Sequence, residues 1–183
     1  HYLGFNLADP LTGDLRLRRA VAHGIDRKAL IRHLLGGAAR PAGSVLPPGH
    51  YVAAELPEYR HDPDLARRLL AEAGIENPRL TYRTSTDPLR VRIATALQAQ
   101  LAAVGIRVRV QSTEWGSFFD AVRGGRFQMY SLAWVGVTQP DVLRQLFHSA
   151  SRPPAGANRG RFADPAVDAL LDAAAGAQPA RQT

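Results

Sequence analysis

Two kinds of hydrophobic pattern alternate along the chain. In the first, apolar residues recur at spacings of three and four, the period of a helix that buries one face. In the second, short runs alternate apolar with polar positions or are rich in β-branched and aromatic residues, as in strands. The helical stretches are residues 14–25, 26–35, 62–74, 89–104, 114–123, 140–148 and 164–175. The strand-like stretches are residues 2–6, 80–84, 106–111 and 127–134. Their interleaving predicts an α/β domain.

Aspartates stand just ahead of many of the predicted helices, where a carboxylate can accept hydrogen bonds from free backbone N–H groups. They are Asp14, Asp26, Asp62, Asp87 and Asp164. A structural capping role is the prediction for each. The strand, helix and strand over residues 80–111 form a unit whose two strands should be parallel, with a right-handed crossover. Residues 38–62 lack a period and are rich in proline and glycine, which predicts a long ordered loop or an extended arm.

The stretch over residues 127–141, FQMYSLAWVGVTQPD, is the strongest candidate for a functional site. It predicts a strand that ends at Trp134, then a glycine-containing loop, then a helix that begins at Pro140. Open α/β sheets bind ligands at the carboxyl ends of their strands. An aromatic residue there offers a flat, rigid wall to a ligand. The prediction is one edge of a binding cleft, with Trp134 as its wall.

Trp115 is the second tryptophan of the chain, and it also stands where a strand passes into a helix. Two tryptophans at the same kind of edge suggest a shared mouth, although both could instead plug the end of the core. Asp141 falls in the first turn of the helix after the loop. The helix dipole favours a carboxylate there with or without a ligand, so its role stays open at this point.

Charge and composition argue against several classes of protein. The net charge of +7 comes almost wholly from arginine, since Lys28 is the single lysine, and the arginines are spread over every predicted element. A nucleic-acid-binding domain would gather them into a stripe, so solvated surface arginine and no nucleic-acid partner are expected. The chain has no cysteine, which excludes disulfides and thiolate metal sites. No apolar run approaches the length of a membrane span.

Catalytic and cofactor motifs are missing from the sequence. It contains no HExxH metal spacing, GxSxG nucleophile turn, GxxxxGK phosphate loop or GxGxxG dinucleotide loop. A pocket wall without a catalytic set favours binding over catalysis, with neither cofactor nor metal. Two alternatives stay open: a basic α/β domain that binds nucleic acid, and an enzyme domain whose catalytic partners lie elsewhere. The enzyme alternative predicts a polar cluster around Glu114, Trp134 and Asp141.

Segments along nearly the whole chain carry a family resemblance. They are YLGFNL, DLRLRRAVAHGIDRKALI, GSVLPPG, HDPDLARRLLAEAG, IATALQAQLAAVGIRVRVQSTEWGSFFDAVRGGRFQMYSLAWVG, LFHS and FADPAVDALL. In this order and at this spacing they resemble the second lobe of the family 5 extracellular solute-binding proteins. These are the dipeptide-, oligopeptide- and nickel-type receptors of ABC importers. No single segment is decisive, but the ordered set is specific.

The resemblance implies one lobe of a type II periplasmic-binding-protein fold, with a mixed, mostly parallel sheet flanked by helices. It implies a C-terminal lobe over residues 1–175 and a polar tail over residues 176–183. We expect a first lobe elsewhere in a longer protein, with closure of the two lobes on the solute about a hinge. The implied partners are a small-molecule or short-peptide solute and a membrane permease. The implied protein is a monomer, periplasmic or lipid-anchored, and one lobe alone should bind weakly or not at all.

The resemblance also implies roles in solute binding. The implied residues are Trp134, Gly136, Val137, Thr138, Trp115 and Asp141. Peptide-binding relatives carry an aspartate where Val137 stands, and it pairs with the α-amino group of the peptide. A buried ammonium without a partner is strongly unfavourable. The hypothesis is therefore that the solute is not an ordinary free-amine peptide, or is held differently. Asp141 could replace the aspartate only if the loop brings it inward.

Overall fold

A four-stranded mixed sheet forms the centre of the fold, in a computed structural model that describes residues 1–46, 50, 56, 58–137 and 139–176. The strands are β1 (Tyr2–Phe5), β2 (Arg79–Ser85), β3 (Arg107–Thr113) and β4 (Met129–Leu132), in the order β1-β4-β2-β3. Strand β2 runs parallel to both β3 and β4, and β1 runs antiparallel to β4. The mixed, mostly parallel sheet and the parallel pair around one helix are both confirmed.

Helices flank this sheet and match the periodic stretches of the sequence. They are α1 (Leu15–Gly24), α2 (Arg27–Leu34), α3 (Pro63–Glu72), α4 (Pro88–Ala102), α5 (Trp115–Arg123), α6 (Val142–Phe147) and α7 (Pro165–Gly176). All five predicted aspartate caps are confirmed, because each side chain accepts a hydrogen bond from a backbone N–H of the first turn. No helix in the described ranges is both long enough and apolar enough to cross a bilayer.

Alternate residues of β4 serve two separate hydrophobic clusters, because successive strand side chains point to opposite faces. Met129 belongs to the main core, which α1, α3 and α4 share with β2 and β3. The main core includes the fully buried Leu17, Leu101 and Ile106. Tyr130 belongs to the aromatic cluster of Phe118, Val122, Phe127, Tyr130 and Leu132, which α5 covers. One face of the sheet is therefore packed mainly with aliphatic side chains and the other with aromatic ones.

Two boundaries beside the predicted site differ from the sequence prediction. Strand β4 ends at Leu132, two residues before Trp134, because the sheet pairing with Tyr2 stops there. Helix α6 begins at Val142, so Asp141 takes the N-cap position, and its side chain does not cap the helix. The loop predicted over residues 38–62 has no helix or strand in residues 38–46, 50, 56 and 58–62. The rest of that loop, and the tail over residues 177–183, lie outside the described residues.

Candidate functional site

The carboxyl edge of the sheet brings the predicted site residues together. Parallel pairing aligns Ser85 of β2 with Thr113 of β3, and β4 ends on the same side at Leu132. The antiparallel β1 begins there, with Tyr2 opposite Leu132. Because α5 follows β3 directly and the loop over residues 133–141 follows β4, both tryptophans come to this edge. This is the place where open α/β sheets bind ligands.

A row of rings and guanidinium groups connects the two tryptophans. Trp115 stacks on Phe119 with 5.6 Å between ring centroids and an interplanar angle of 12°. The Arg159 guanidinium carbon lies 5.5 Å from the Phe119 centroid and 5.6 Å from the Trp134 centroid. At the Trp115 end, the Arg90 guanidinium carbon lies 5.3 Å from the Trp115 ring centroid. We call these five residues the aromatic–arginine row. Its spacings are those of cation–π contacts.

Asn158 fixes the segment that presents Arg159. The Asn158 side chain is buried; its Nδ2 donates to the carbonyl oxygens of His148 at 3.1 Å and Phe162 at 2.7 Å. Its Oδ1 accepts from the Phe162 backbone N–H at 3.0 Å. These three bonds close an otherwise irregular turn. Arg159 directly follows Asn158, so these bonds position it at the edge.

The row carries positive charge and incompletely satisfied donors. Nε of Arg159 and Nε1 of Trp134 are buried and have no hydrogen-bond partner among the described residues. The Arg159 guanidinium donates a hydrogen bond to the Tyr2 hydroxyl at 3.4 Å. Within the described ranges no carboxylate lies within 4.0 Å of its guanidinium nitrogens. Burial raises the pKa of the nearby Tyr130 phenol far above its ordinary value, so the Tyr130 side chain supplies no negative charge to Arg159.

The loop after β4 carries the remaining predicted site residues. Gly136 is exposed and has a φ of +69°, a left-handed conformation that favours glycine. Val135 is 92% exposed, whereas Val137 is half-buried. Thr138 lies outside the described residues. Val137 is therefore an apolar, partly enclosed group of this loop and carries no charge.

Glu114, one of the three residues in the polar cluster of the enzyme alternative, has a structural role. Oε2 of Glu114 accepts backbone N–H bonds from Gly116 at 2.7 Å and Ser117 at 3.3 Å, which lowers the pKa of this carboxylate. Glu114 is thus the cap of α5, and the charged group against Trp134 is Arg159. Among the described residues no group of three histidine, cysteine or acidic side chains could hold a metal ion.

Three arginines among the described residues pair with nearby carboxylates. Arg16 pairs with Asp14, Arg67 with Asp64, and Arg144 with Asp172, on three different helices. Local pairing of this kind distributes the positive charge and offsets it.

Sequence reasoning placed Trp134 and Trp115 at one edge but missed the residues between them. Phe119 lies on α5 and packs against the aromatic cluster, and Arg159 lies in the largely irregular stretch over residues 149–160. Hydrophobic periodicity carries no information in such a stretch. Helix α7 begins soon afterwards with an aspartate and a proline. This signal marks the end of the irregular stretch, but it does not show which residues the side chains of that stretch contact.

Comparison with known proteins agrees with this architecture. The profile of the bacterial extracellular solute-binding proteins, family 5 middle region, matches residues 1–153. A putative ABC transporter peptide-binding protein of Brucella ovis is 36% identical over 186 aligned positions, which cover 95% of this chain and 35% of the relative. The chain thus spans about a third of the length of this relative.

Solved structures give the same result. The Escherichia coli murein tripeptide-binding protein superposes with a TM-score of 0.85 at 26% identity, covering 97% of this chain and 36% of that one. A Campylobacter jejuni protein in complex with Ni(L-His) superposes with a TM-score of 0.84 at 26% identity, covering 97% and 38%. The matched profile covers well over half of the chain, from β1 to beyond α6. The chain therefore belongs to the bacterial extracellular solute-binding proteins of family 5.

Proposed function

We propose that residues 1–175 form the C-terminal lobe of the solute-binding component of an ABC importer. The component captures a peptide-like or other small solute in a cleft between two lobes and delivers it to a membrane permease. It acts outside the cytoplasmic membrane, either periplasmic or lipid-anchored, and as a monomer. It is a receptor and performs no reaction on the solute.

The aromatic–arginine row is the observation that carries this proposal. Trp115 is 47% exposed and Trp134 is half-buried, so each ring leaves surface at the carboxyl edge for a solute. Flat apolar walls with a few polar groups are typical of small-molecule sites. The enclosing second wall would come from the other lobe when it closes about a hinge.

The solute class follows from the relatives and from the loop after β4. The Brucella ovis relative is named a peptide-binding protein, and the Escherichia coli neighbour is named for a murein tripeptide. A peptide-like solute is therefore the leading class. The half-buried Val137 gives a free α-amino group no charge partner at this lobe. A solute whose amino group is blocked, or held elsewhere, fits this loop better than an ordinary free-amine peptide.

Isothermal titration calorimetry on the full-length receptor tests both parts. The receptor is titrated with a panel of dipeptides and with their N-acetylated forms. We expect one saturable site, and an acetylated form that binds at least as well as its free-amine counterpart. If no member of the panel binds saturably, the peptide-like class is contradicted. Submicromolar binding of free-amine dipeptides across the whole panel would contradict the inference from Val137.

A substitution in the loop sharpens this test. Val137→Asp should favour the free-amine dipeptide over its acetylated form by about tenfold or more, because a charge-assisted hydrogen bond is restored. Val135→Asp is the matched control, since Val135 is 92% exposed on the same loop. An equal response of the two variants would show that general loop charge, rather than position 137, controls binding.

A further inference from the structure

Arg159 has an unusual environment for a partly buried cation. Its guanidinium lies between the Phe119 and Trp134 rings, and its buried Nε has no partner. Among the described residues its side-chain hydrogen bond goes to the Tyr2 hydroxyl, at the long distance of 3.4 Å. Two ring faces and a hydroxyl group contact the cation without supplying a negative charge. Partly buried arginines are normally paired with a carboxylate or fully hydrogen-bonded.

Two acidic residues near this edge already serve as helix caps. Asp87 accepts from the Arg90 backbone N–H at 2.9 Å and caps α4, while Glu114 caps α5. Asp141 takes the N-cap position of α6. The described part of the chain contains no ion pair to Arg159. Within the described residues Arg159 therefore has no carboxylate partner, and a bound solute can supply that counter-charge.

The chemistry of the guanidinium selects the kind of group that it would accept. A planar guanidinium matches the two oxygens of a carboxylate, and stacking on flanking rings orients its plane. The neighbouring Trp134 ring would contact the apolar part of a ligand whose carboxylate reaches Arg159. Neutral surroundings and partial burial make such a charge-assisted contact stronger than it would be in water.

We propose that Arg159 is the anion-binding residue of the cleft and receives a carboxylate of the solute between the Phe119 and Trp134 rings. This inference rests on the proposed function and adds the charge of the solute to it. The carboxylate is either the C-terminus of a peptide-like solute or an acidic side chain. This lobe would then bind a negative group of the solute through a cation, whereas a lobe that anchors an ammonium binds a positive group through a carboxylate.

Three blocked peptides distinguish these sources in calorimetry with the full-length receptor. They are N-acetyl-Ala-Ala, its C-terminal amide, and the amide of N-acetyl-Ala-Asp. If the C-terminus is the source, amidation should weaken binding on the order of ten- to a hundredfold, as expected for a hydrogen bond to a charged group. If a side chain is the source, the aspartyl amide should bind better than the alanyl amide by a similar factor.

The variant Arg159→Gln should remove that discrimination, so that free-acid and amide forms bind within about twofold of one another. This is the coupling that a double-mutant cycle isolates. Arg123→Gln is the matched control, because Arg123 is exposed at the far end of α5 and should keep the discrimination. Circular dichroism before titration checks the fold of each variant, and the three-peptide comparison on the wild type needs no variant.

The outcomes separate this inference from the proposed function. Equal binding of all three peptides by the wild type would overturn the carboxylate site but would still support the proposed receptor function. Discrimination that survives Arg159→Gln would also overturn it. Failure of the wild type to bind any of the three, and any dipeptide of the earlier panel, would overturn the peptide-like class together with the inference.

Discussion

The main core and the aromatic cluster lie on opposite faces of one sheet, yet they end differently. The main core is closed: Leu17, Leu101 and Ile106 are completely buried. The aromatic cluster begins with the buried Phe118 but extends through Phe119 to the exposed Trp115 and onward to Arg159. Aliphatic packing on one face supports the fold, whereas aromatic packing on the other face continues into a surface with unsatisfied donors.

This difference predicts a separation of roles. Buried donors without partners are each unfavourable by about 1–3 kcal/mol, so they persist only where other packing offsets them. The main core provides that packing. Functional sites are where such local costs are expected. Substitutions in the main core should therefore change stability, and substitutions in the aromatic–arginine row should change binding.

The largest effect is expected in the main core. Leu101→Ala should lower the free energy of unfolding by about 2–5 kcal/mol, because it removes buried methyl groups and leaves a cavity. Denaturant unfolding of the full-length protein measures this loss. Leu170→Ala, on a side chain that is 70% exposed on α7, should cost far less. Equal losses for the two variants would break the distinction between core and surface.

The row should show the opposite behaviour. Trp134→Ala should weaken solute binding by about 2 kcal/mol, roughly thirtyfold, as buried aromatic anchors do at binding sites. Its effect on unfolding should be smaller than that of Leu101→Ala, since Trp134 is half-buried. Calorimetry and denaturation of the same preparation give both values. A large stability loss with unchanged affinity would make Trp134 a plug of the core.

A helix cap gives a smaller, purely structural effect. Asp62→Ala should destabilise the fold by about 1 kcal/mol, because Asp62 accepts the Leu65 backbone N–H at 2.8 Å. Asp64→Ala is the control, since its exposed ion pair with Arg67 should contribute only a few tenths of a kcal/mol. Thermal unfolding compares the two variants. Solute affinity should stay unchanged in both, and a change in either would connect α3 to the site.

The smallest effect concerns pH. Backbone hydrogen bonds from Gly116 and Ser117 hold the pKa of Glu114 below its ordinary value of 4.5. A lowered pKa in the folded state stabilises the fold above the unfolded pKa, and that contribution is lost as pH falls through the folded pKa. Titration by nuclear magnetic resonance should place the Glu114 pKa below 4.5. Glu114→Gln should reduce the acid sensitivity of unfolding slightly, whereas Glu76→Gln, an exposed carboxylate outside any helix, should not.

Local rules accounted for much of the fold. Asp14, Asp26 and Asp62 predicted helix starts correctly because a cap depends on contacts within one turn. The alternation over residues 106–111 predicted β3 because burial of one strand face leaves a period of two. The end of β4 was predicted two residues too late, since Trp134 is apolar enough to continue the pattern. Pairing with Tyr2, far away in sequence, ends the strand at Leu132.

The sequence by itself determined the α/β class, the helix starts, the family and the location of both tryptophans at strand ends, because each follows from patterns along the chain. Only the tertiary structure decided that Phe119 and Arg159 join Trp115 to Trp134 in one row. Arg159 is 157 residues from its partner Tyr2. Contacts between residues so far apart depend on the strand order and on the hydrogen bonds of Asn158. No local period in the sequence encodes them.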